Sequence, residues 1–364
     1  MRAERALQGL TALKLLLHLT VNAFFSYGIF RDEFYYLACS RRLDWGYVDH
    51  PPLSVFLLAV QTFVFGDSLF FLRLLPAVAG ALTLYFAGRI ALQLGGGTTA
   101  VLLTGLSVLA APMYLAFNAF YSMNALDSLF WVVAAHTLLR IVEGGTGRNW
   151  LLLGAVLGLG LLNKIGVLWL GLGVFFALLS SAQRWQFKTR WPYAGASLAL
   201  IIFLPYVLWN ATNGWPHLEF IAHATQLKYA GITRVDFLLG QLQSIALCSF
   251  VLCAVALYRG LRIGADGGPR ALAILFVTAL VVLLANGHSK AEYLVAAYAP
   301  LFASGAVAVE RWLECGKRRY MRAILLFSIV SGGLVPAPIV LPILPVPDAI
   351  VYARVLGVSP PSNE

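Results

Sequence analysis

The chain reads as an all-α polytopic membrane protein of about eleven transmembrane helices, and three observations lead there. Of its 364 residues, 60% are apolar and only 12% charged, with a mean hydropathy of +0.80. A soluble core cannot hide that much apolar surface. Hydrophobic runs of about 18 to 24 residues, the length that crosses a bilayer, recur from end to end. Between them the charged residues gather in short intervals.

In chain order the runs lie near 9–30, 70–94, 98–117, 125–142, 150–162, 165–182, 191–209, 237–258, 271–287, 292–310 and 323–344. Arg2 and Arg5 precede the first run and no small-residue cleavage site follows it, so a retained helix is expected. The run at 150–162 is short at about 1.5 Å per residue and either spans alone or pairs with the next. Residues 1–344 thus form one transmembrane unit, with 31–69 as its first outer loop. The Pro-rich stretch 345–364 is expected to leave the membrane as an irregular tail, with no sizeable soluble domain after it.

Basic residues set the orientation. With the N-terminus cytoplasmic, Arg2, Arg5, Arg89, Arg140, Arg148, Arg184, Lys188, Arg190 and the clusters at 259–270 and 311–322 share one side. These are sixteen of the 26 Lys and Arg. The net charge of +10 is therefore mostly positive-inside bias, with some attraction to anionic lipid heads. No basic, aromatic-interleaved soluble domain exists for nucleic acid. Of the four cysteines only Cys39 faces outward, so no disulfide is expected.

This topology puts a charged island outside: Arg31 to Pro52, RDEFYYLACSRRLDWGYVDHPP. Asp32 and Glu33 open it where the first helix reaches the interface, and FYYLAC has the spacing of a short helix lying on the membrane surface. Asp32 could cap that helix. A carboxylate fixed at such a partly dry start is equally placed to take a proton from a hydroxyl. In GYVDHPP each proline holds its predecessor extended. A rigid Asp49–His50 pair suits phosphate contact or a metal, and equally a solvated turn.

Asp127 heads the fourth run, as a match to the helix dipole or as a functional acid at membrane depth. Lys164 and Lys290 reach the same outer face and either snorkel or bind a lipid phosphate. Tyr36 and Tyr47 in the island, Trp215 and His217 in NGWPHLEF, and Tyr293 in KAEYL complete the candidate substrate-binding set; Trp215 and Tyr47 could stack on sugar rings. Lys14, His18 and Asn22 form an i, i+4, i+8 stripe expected to pack against a neighbouring helix.

The order DE, an aromatic-rich segment and GYVDHPPL after one transmembrane helix resembles the polyprenyl-phosphate-dependent GT-C glycosyltransferases. The nearest branch holds bacterial relatives of protein O-mannosyltransferases and the aminoarabinose transferase that modifies lipid A. The match is specific over about 26–60 and looser at Asp127, GLGLLNK, NGWPHLEF and KAEYLVAAYAP. The resemblance implies a GT-C fold whose large first outer loop contains short interfacial helices. It makes Asp32 the base for the acceptor, with Glu33 in support. Asp49 takes the place of a carboxylate near a divalent metal, the one cofactor implied, followed by His50. Asp127 matches a second acid, and Lys164 and Lys290 would contact the donor phosphate. Many relatives are longer and end in an outer soluble domain, which this chain is not expected to have.

The function implied is inverting transfer of a sugar from a polyprenyl-phosphate carrier to a hydroxyl of lipid A, an envelope glycan or a protein. It would occur on the periplasmic face of the inner membrane. No Gly-rich phosphate loop in a strand–helix context argues for a nucleotide donor, since GGG at 95–97 lacks one. A transporter or flippase is the rival, for which Lys14 and His18 speak. A catalytically dead subunit that recruits carrier lipid is a third reading, opposed by the intact Asp32, Asp49 and Asp127.

Overall fold

The computed structural model describes residues 1–357 apart from Ser26, Ile263, Ala265 and Lys317, with no side-chain description for Arg319. Lys317 of the basic loop and residues 358–364 of the expected tail thus lie outside the described residues. Those described form helices and loops, with no strand among them.

Helix α1 (Arg2–Phe24) is followed by an outer loop that carries α2 (Arg31–Ser40) and α3 (Leu53–Phe65). Phe56, Phe63 and Val64 of α3 are exposed, as suits a helix lying against lipid. A single turn, α4 (Leu69–Leu72), then leads through Arg73 into α5 (Leu74–Gln93). Next come α6 (Thr98–Ala110), α7 (Pro112–Phe117), α8 (Met123–Val142), α9 (Gly147–Asn163) and α10 (Val167–Leu179). After α11 (Trp191–Thr212) the second large loop holds α12 (Pro216–His223) and α13 (Arg234–Ser244). The chain closes with α14 (Phe250–Leu261), α15 (Gly267–Asn286), α16 (Tyr298–Cys315), α17 (Arg319–Leu334), α18 (Ala337–Val340) and α19 (Val346–Val355).

A helix occurs at each of the eleven expected places, but not each is a straight span. Among the described residues six stretches are long and apolar enough to cross a membrane, and up to eight if each bent pair counts as one. The run expected at 237–258 is broken: α13 and the stretch from Leu247 through α14 meet at 103°. The chain is extended at Ile245 and Ala246, which ends α13 after the last helical bond, from Ile245 N–H to the Gln241 carbonyl. Pro112 likewise separates α6 from α7, having no N–H to donate. The tail is also more ordered than expected, since Val346–Val355 is helical with Pro347 in its first turn.

The most enclosed helices are α16 and α8, while α11 and α17 stand at the periphery. Glu310 on α16 accepts from the N–H groups of Thr99 (2.8 Å) and Ala100 (3.1 Å), capping α6 from a distant part of the sequence. Lys14 donates to the Tyr114 carbonyl (3.2 Å) and Asn22 to that of Arg73 (3.3 Å), so the polar stripe of α1 packs inward.

The pair α9 and α11 packs through small residues. A Cβ on Gly154 would collide with the Gly195 carbonyl oxygen, and one on Gly195 would come within 2.5 Å of Trp150 O. Gly154→Leu is therefore expected to overpack the pair and cost about 1–3 kcal/mol. A thermal melt of the purified chain in detergent checks this, and an unchanged midpoint would contradict the close approach.

Candidate active site

One buried carboxylate organises the first outer loop. Glu33 accepts from Arg73 Nε (2.9 Å) and Nη2 (2.8 Å), from Phe30 N–H (2.7 Å) and from Tyr121 N–H (2.8 Å). Arg73 also donates to the Gly28 carbonyl at 2.8 Å. A two-pronged Arg–carboxylate pair with its remaining lone pairs filled is the favourable form of a buried ion pair. It ties α2, the start of α5 and the turn before α8 together. Glu33 is fully buried and both its oxygens are occupied, a geometry that suits positioning of the loop in support of Asp32. It also performs the helix-start contact expected of Asp32. Asp32, one residue earlier, is half exposed and touches only Arg31, at 3.4 Å.

The second half of the island folds into an aromatic box around His50. Tyr36 stacks on the imidazole with centroids 4.9 Å apart, while Tyr35 (5.6 Å) and Tyr47 (5.2 Å) approach at steeper angles. The ring is locked by Nδ1, which donates to the Pro51 carbonyl at 3.0 Å. Nε2 has no hydrogen-bond partner and lies 3.8 Å from Asp49 Oδ1, which instead accepts from the Tyr35 hydroxyl at 2.6 Å.

Burial pulls His50 below its ordinary value, partly opposed by the Asp49 charge, so the ring is neutral near pH 7. Burial pushes the Tyr36 hydroxyl up, with the charges of Asp49 and Asp32 adding to it. Tyr36 therefore stays protonated, and its oxygen accepts from Met123 N–H at 3.2 Å.

A buried neutral histidine takes up a proton on unfolding, so its effect on stability appears below the ordinary value of 6.5. The melting temperature should fall between about pH 7 and pH 5, less steeply in His50→Gln. Equal slopes in the two proteins would exclude His50 as the group responsible.

The cavity itself lies beside this box and measures about 300 Å³. Its polar wall joins five segments far apart in sequence: Asp49, Asp127, Lys164, His217, and the stretch from Asn286 to Tyr293. Lys164 Nζ sits 3.1 Å from Asp127 Oδ2, donates to Asn124 Oδ1 at 2.8 Å and lies over the Tyr293 ring at 5.4 Å. Asp127 stands one turn inside α8, whose start is capped by Ser122, so matching the helix end is not its role. Asn163 holds the end of α9 by donating to the Met123 carbonyl at 2.9 Å.

His217 enters from α12, where Trp215 takes a left-handed backbone (φ 61°) just before Pro216. Its Nδ1 donates to the Val48 carbonyl at 3.1 Å, coupling the second outer loop to the first. Burial lowers the His217 pKa, while the Val48 contact and the Asp49 charge act the other way.

Of the candidates, Asp49, Asp127, Lys164, His217 and Tyr293 line the cavity, whereas Asp32, Glu33, Tyr36, Tyr47, His50, Trp215 and Lys290 do not. Tyr47 donates to the Arg42 carbonyl (3.1 Å) and braces the loop. Lys290 pairs with Glu292 at 3.5 Å and lies over Tyr229, itself a lining residue. Trp131, Trp169 and His288 were not foreseen. The only signal for His288 was its place two residues before Lys290, since its orientation depends on donation to the distant Ile232 carbonyl at 3.1 Å.

Among the described residues no three His, Cys, Asp or Glu side chains converge. Asp49 and the free His50 nitrogen are two donors at most, one of them already engaged by Tyr35. That set does not fit a protein-held divalent ion.

Residues 49–209 match the family model described as dolichyl-phosphate-mannose-protein mannosyltransferase. Over 350 residues the chain is 25% identical to the lipid A galacturonosyltransferase RgtD of Rhizobium johnstonii, covering 92% of this chain and 72% of that protein. The backbone superposes on the crystal structure of ArnT from Cupriavidus metallidurans bound to undecaprenyl phosphate. The TM-score there is 0.70 at 20% identity, over 96% of this chain and 70% of that one. The chain has the fold of the GT-C glycosyltransferases. A third relative is the undecaprenyl phosphate-α-4-amino-4-deoxy-L-arabinose arabinosyl transferase of Pseudomonas aeruginosa. It is 28% identical over 174 residues, 44% of this chain and 30% of that protein. The GT-C fold accounts for the two outer loops folded over one end of the helices. The family-model match contains Asp49, Asp127 and Lys164 but begins after Asp32.

Proposed function

We propose that this glycosyltransferase takes its sugar from a polyprenyl-phosphate carrier and transfers it to a hydroxyl acceptor on the periplasmic side of the inner membrane. Lipid A is the acceptor named for RgtD, and an undecaprenyl phosphate sugar is the donor named for the arabinosyl transferase. The observation that carries this reading is the Lys164–Asp127 pair lining the same cavity as Asp49, together with Trp131, Trp169 and Tyr293. An aromatic wall suits the face of a sugar ring and the first isoprene units. The ammonium of Lys164 suits the phosphate, with Asp127 fixing its direction.

In this scheme the acceptor oxygen attacks the anomeric carbon while the bond from that carbon to the carrier phosphate oxygen breaks. The acceptor proton passes to a carboxylate, a role this reading assigns to the half-exposed Asp32, outside the cavity lining. Polyprenyl phosphate leaves with its charge met by Lys164, so no separate acid is needed, and single displacement inverts the anomeric configuration. His217, donating to the Val48 carbonyl, holds the second outer loop to the first on the acceptor side. The positive-inside pattern supports the periplasmic assignment, because sixteen of the 26 Lys and Arg fall on the side away from the loops that build the cavity.

The test is a comparison of carrier lipids and envelope glycans in cells with the chain intact or deleted. Accumulation of one glycosylated carrier with loss of one decoration is the expected result. An unchanged carrier pool with altered substrate movement across the membrane would overturn it in favour of transport.

A further inference from the structure

The end of α10 remote from the cavity carries a second, differently built groove. α10 begins beside Lys164 and runs 13 residues, roughly 20 Å at the rise of a helix, before Ser180 ends it. There the chain turns by 108° into a 3₁₀ segment, Ala182–Lys188. This segment is anchored: Gln186 is buried, accepts from Trp150 Nε1 (2.7 Å) and donates to the Ile141 carbonyl (3.1 Å). Tyr193 of α11 donates to the Phe187 carbonyl at 3.0 Å, fixing the other side.

Against this turn lies an open groove of about 560 Å³, lined by Phe175, Leu179, Arg184, Trp185, Lys188 and Tyr193. Arg184 and Lys188 are exposed, and among the described residues neither side chain has an ion-pair or hydrogen-bond partner. No Asp or Glu occurs between Glu143 and Glu219, so the chain around the turn offers no local counter-charge. Arg190 adds a third cation, held over the Trp191 ring at 4.9 Å.

We propose that this groove binds the head group of an anionic phospholipid. Trp185 and Tyr193 are half-exposed aromatics of the kind that settle at the headgroup level, and they place the turn in the interface. Arg184 and Lys188, four residues apart on a braced turn, meet the phosphate. Phe175 and Leu179 continue from it along the membrane-facing side of α10 as a track for an acyl chain. Cations on a cytoplasmic interface beside an apolar track are the chemistry that selects anionic over zwitterionic lipid. The carrier phosphate is a different ligand, since its site lies at the opposite end of α10.

Native mass spectrometry of the full detergent-purified chain, titrated with cardiolipin, phosphatidylglycerol or phosphatidylcholine, tests this. The wild type should retain an anionic lipid preferentially. Arg184→Gln/Lys188→Gln should lose that retention by about tenfold, and Arg184→Lys/Lys188→Arg should keep it. The melting temperature of each variant reports folding independently. Equal retention of anionic and zwitterionic lipid by the wild type would overturn the proposal. So would unchanged anionic retention in the Gln pair, or displacement of the lipid by inorganic phosphate at millimolar concentration, which would mark a simple anion site.

Discussion

Asp32→Asn is expected to lower the transfer rate by about 10² to 10⁴ while leaving donor binding intact, because the change keeps shape and removes only the proton acceptor. Asp32 sits in the first turn of α2, half exposed, and the helix beneath it is fixed by Glu33. It is thus a carboxylate on a rigid base with an open face, which is what a hydroxyl arriving from outside requires. Its nearest competitor is Asp49, which lines the cavity but already accepts from Tyr35. Measuring kcat and KM for both Asn variants with a polyprenyl-phosphate sugar separates them. A larger loss of kcat in Asp49→Asn than in Asp32→Asn would transfer the role to Asp49.

Glu33→Ala is the change expected to damage the protein most. It strands the Arg73 guanidinium, 4% exposed, without its counter-charge, and leaves the Phe30 and Tyr121 N–H groups without acceptors. Removing one member of a buried pair costs about 3–5 kcal/mol. The first outer loop should then separate from α5 and α8, so protease sensitivity should rise between residues 25 and 52 and activity should vanish with it. Glu33→Ala/Arg73→Met removes both charges together and should recover part of the stability, because an apolar pair needs no compensation. If the double variant were no more stable than the single one, the ion pair would not be the element that holds the loop. Asp32→Asn, by contrast, should leave the melting temperature unchanged, which distinguishes a reacting carboxylate from a supporting one within the same dipeptide.

Asp32 and Glu33 also show where sequence reasoning stops. Both were legible as a carboxylate pair at the start of an interfacial helix, and α2 occupies the expected place. Their division of labour was not legible, because it depends on Arg73, forty residues away, and on a backbone N–H at Tyr121. The broken pair α13–α14 is a similar case. Its apolar run has the length of one span, yet it bends through 103°, and Gln241 of α13 donates to the Ala291 carbonyl ahead of α16. Asp127 and Lys164 were each visible as ions at membrane depth, but their contact at 3.1 Å requires α8 and α9 to meet at their outer ends.

Membrane location, the polar intervals between the apolar runs, and the uneven spread of basic residues among those intervals follow from the sequence. Those properties are local: they follow from the apolar length of a run and the charge of the interval after it, each encoded within about twenty residues. The tertiary structure alone decided which of those residues meet. The cavity draws on positions from Asp49 to Tyr293, and its histidines owe their orientation to carbonyls on other loops. Such pairings arise from helix packing across the whole chain, and no spacing within a single segment encodes them.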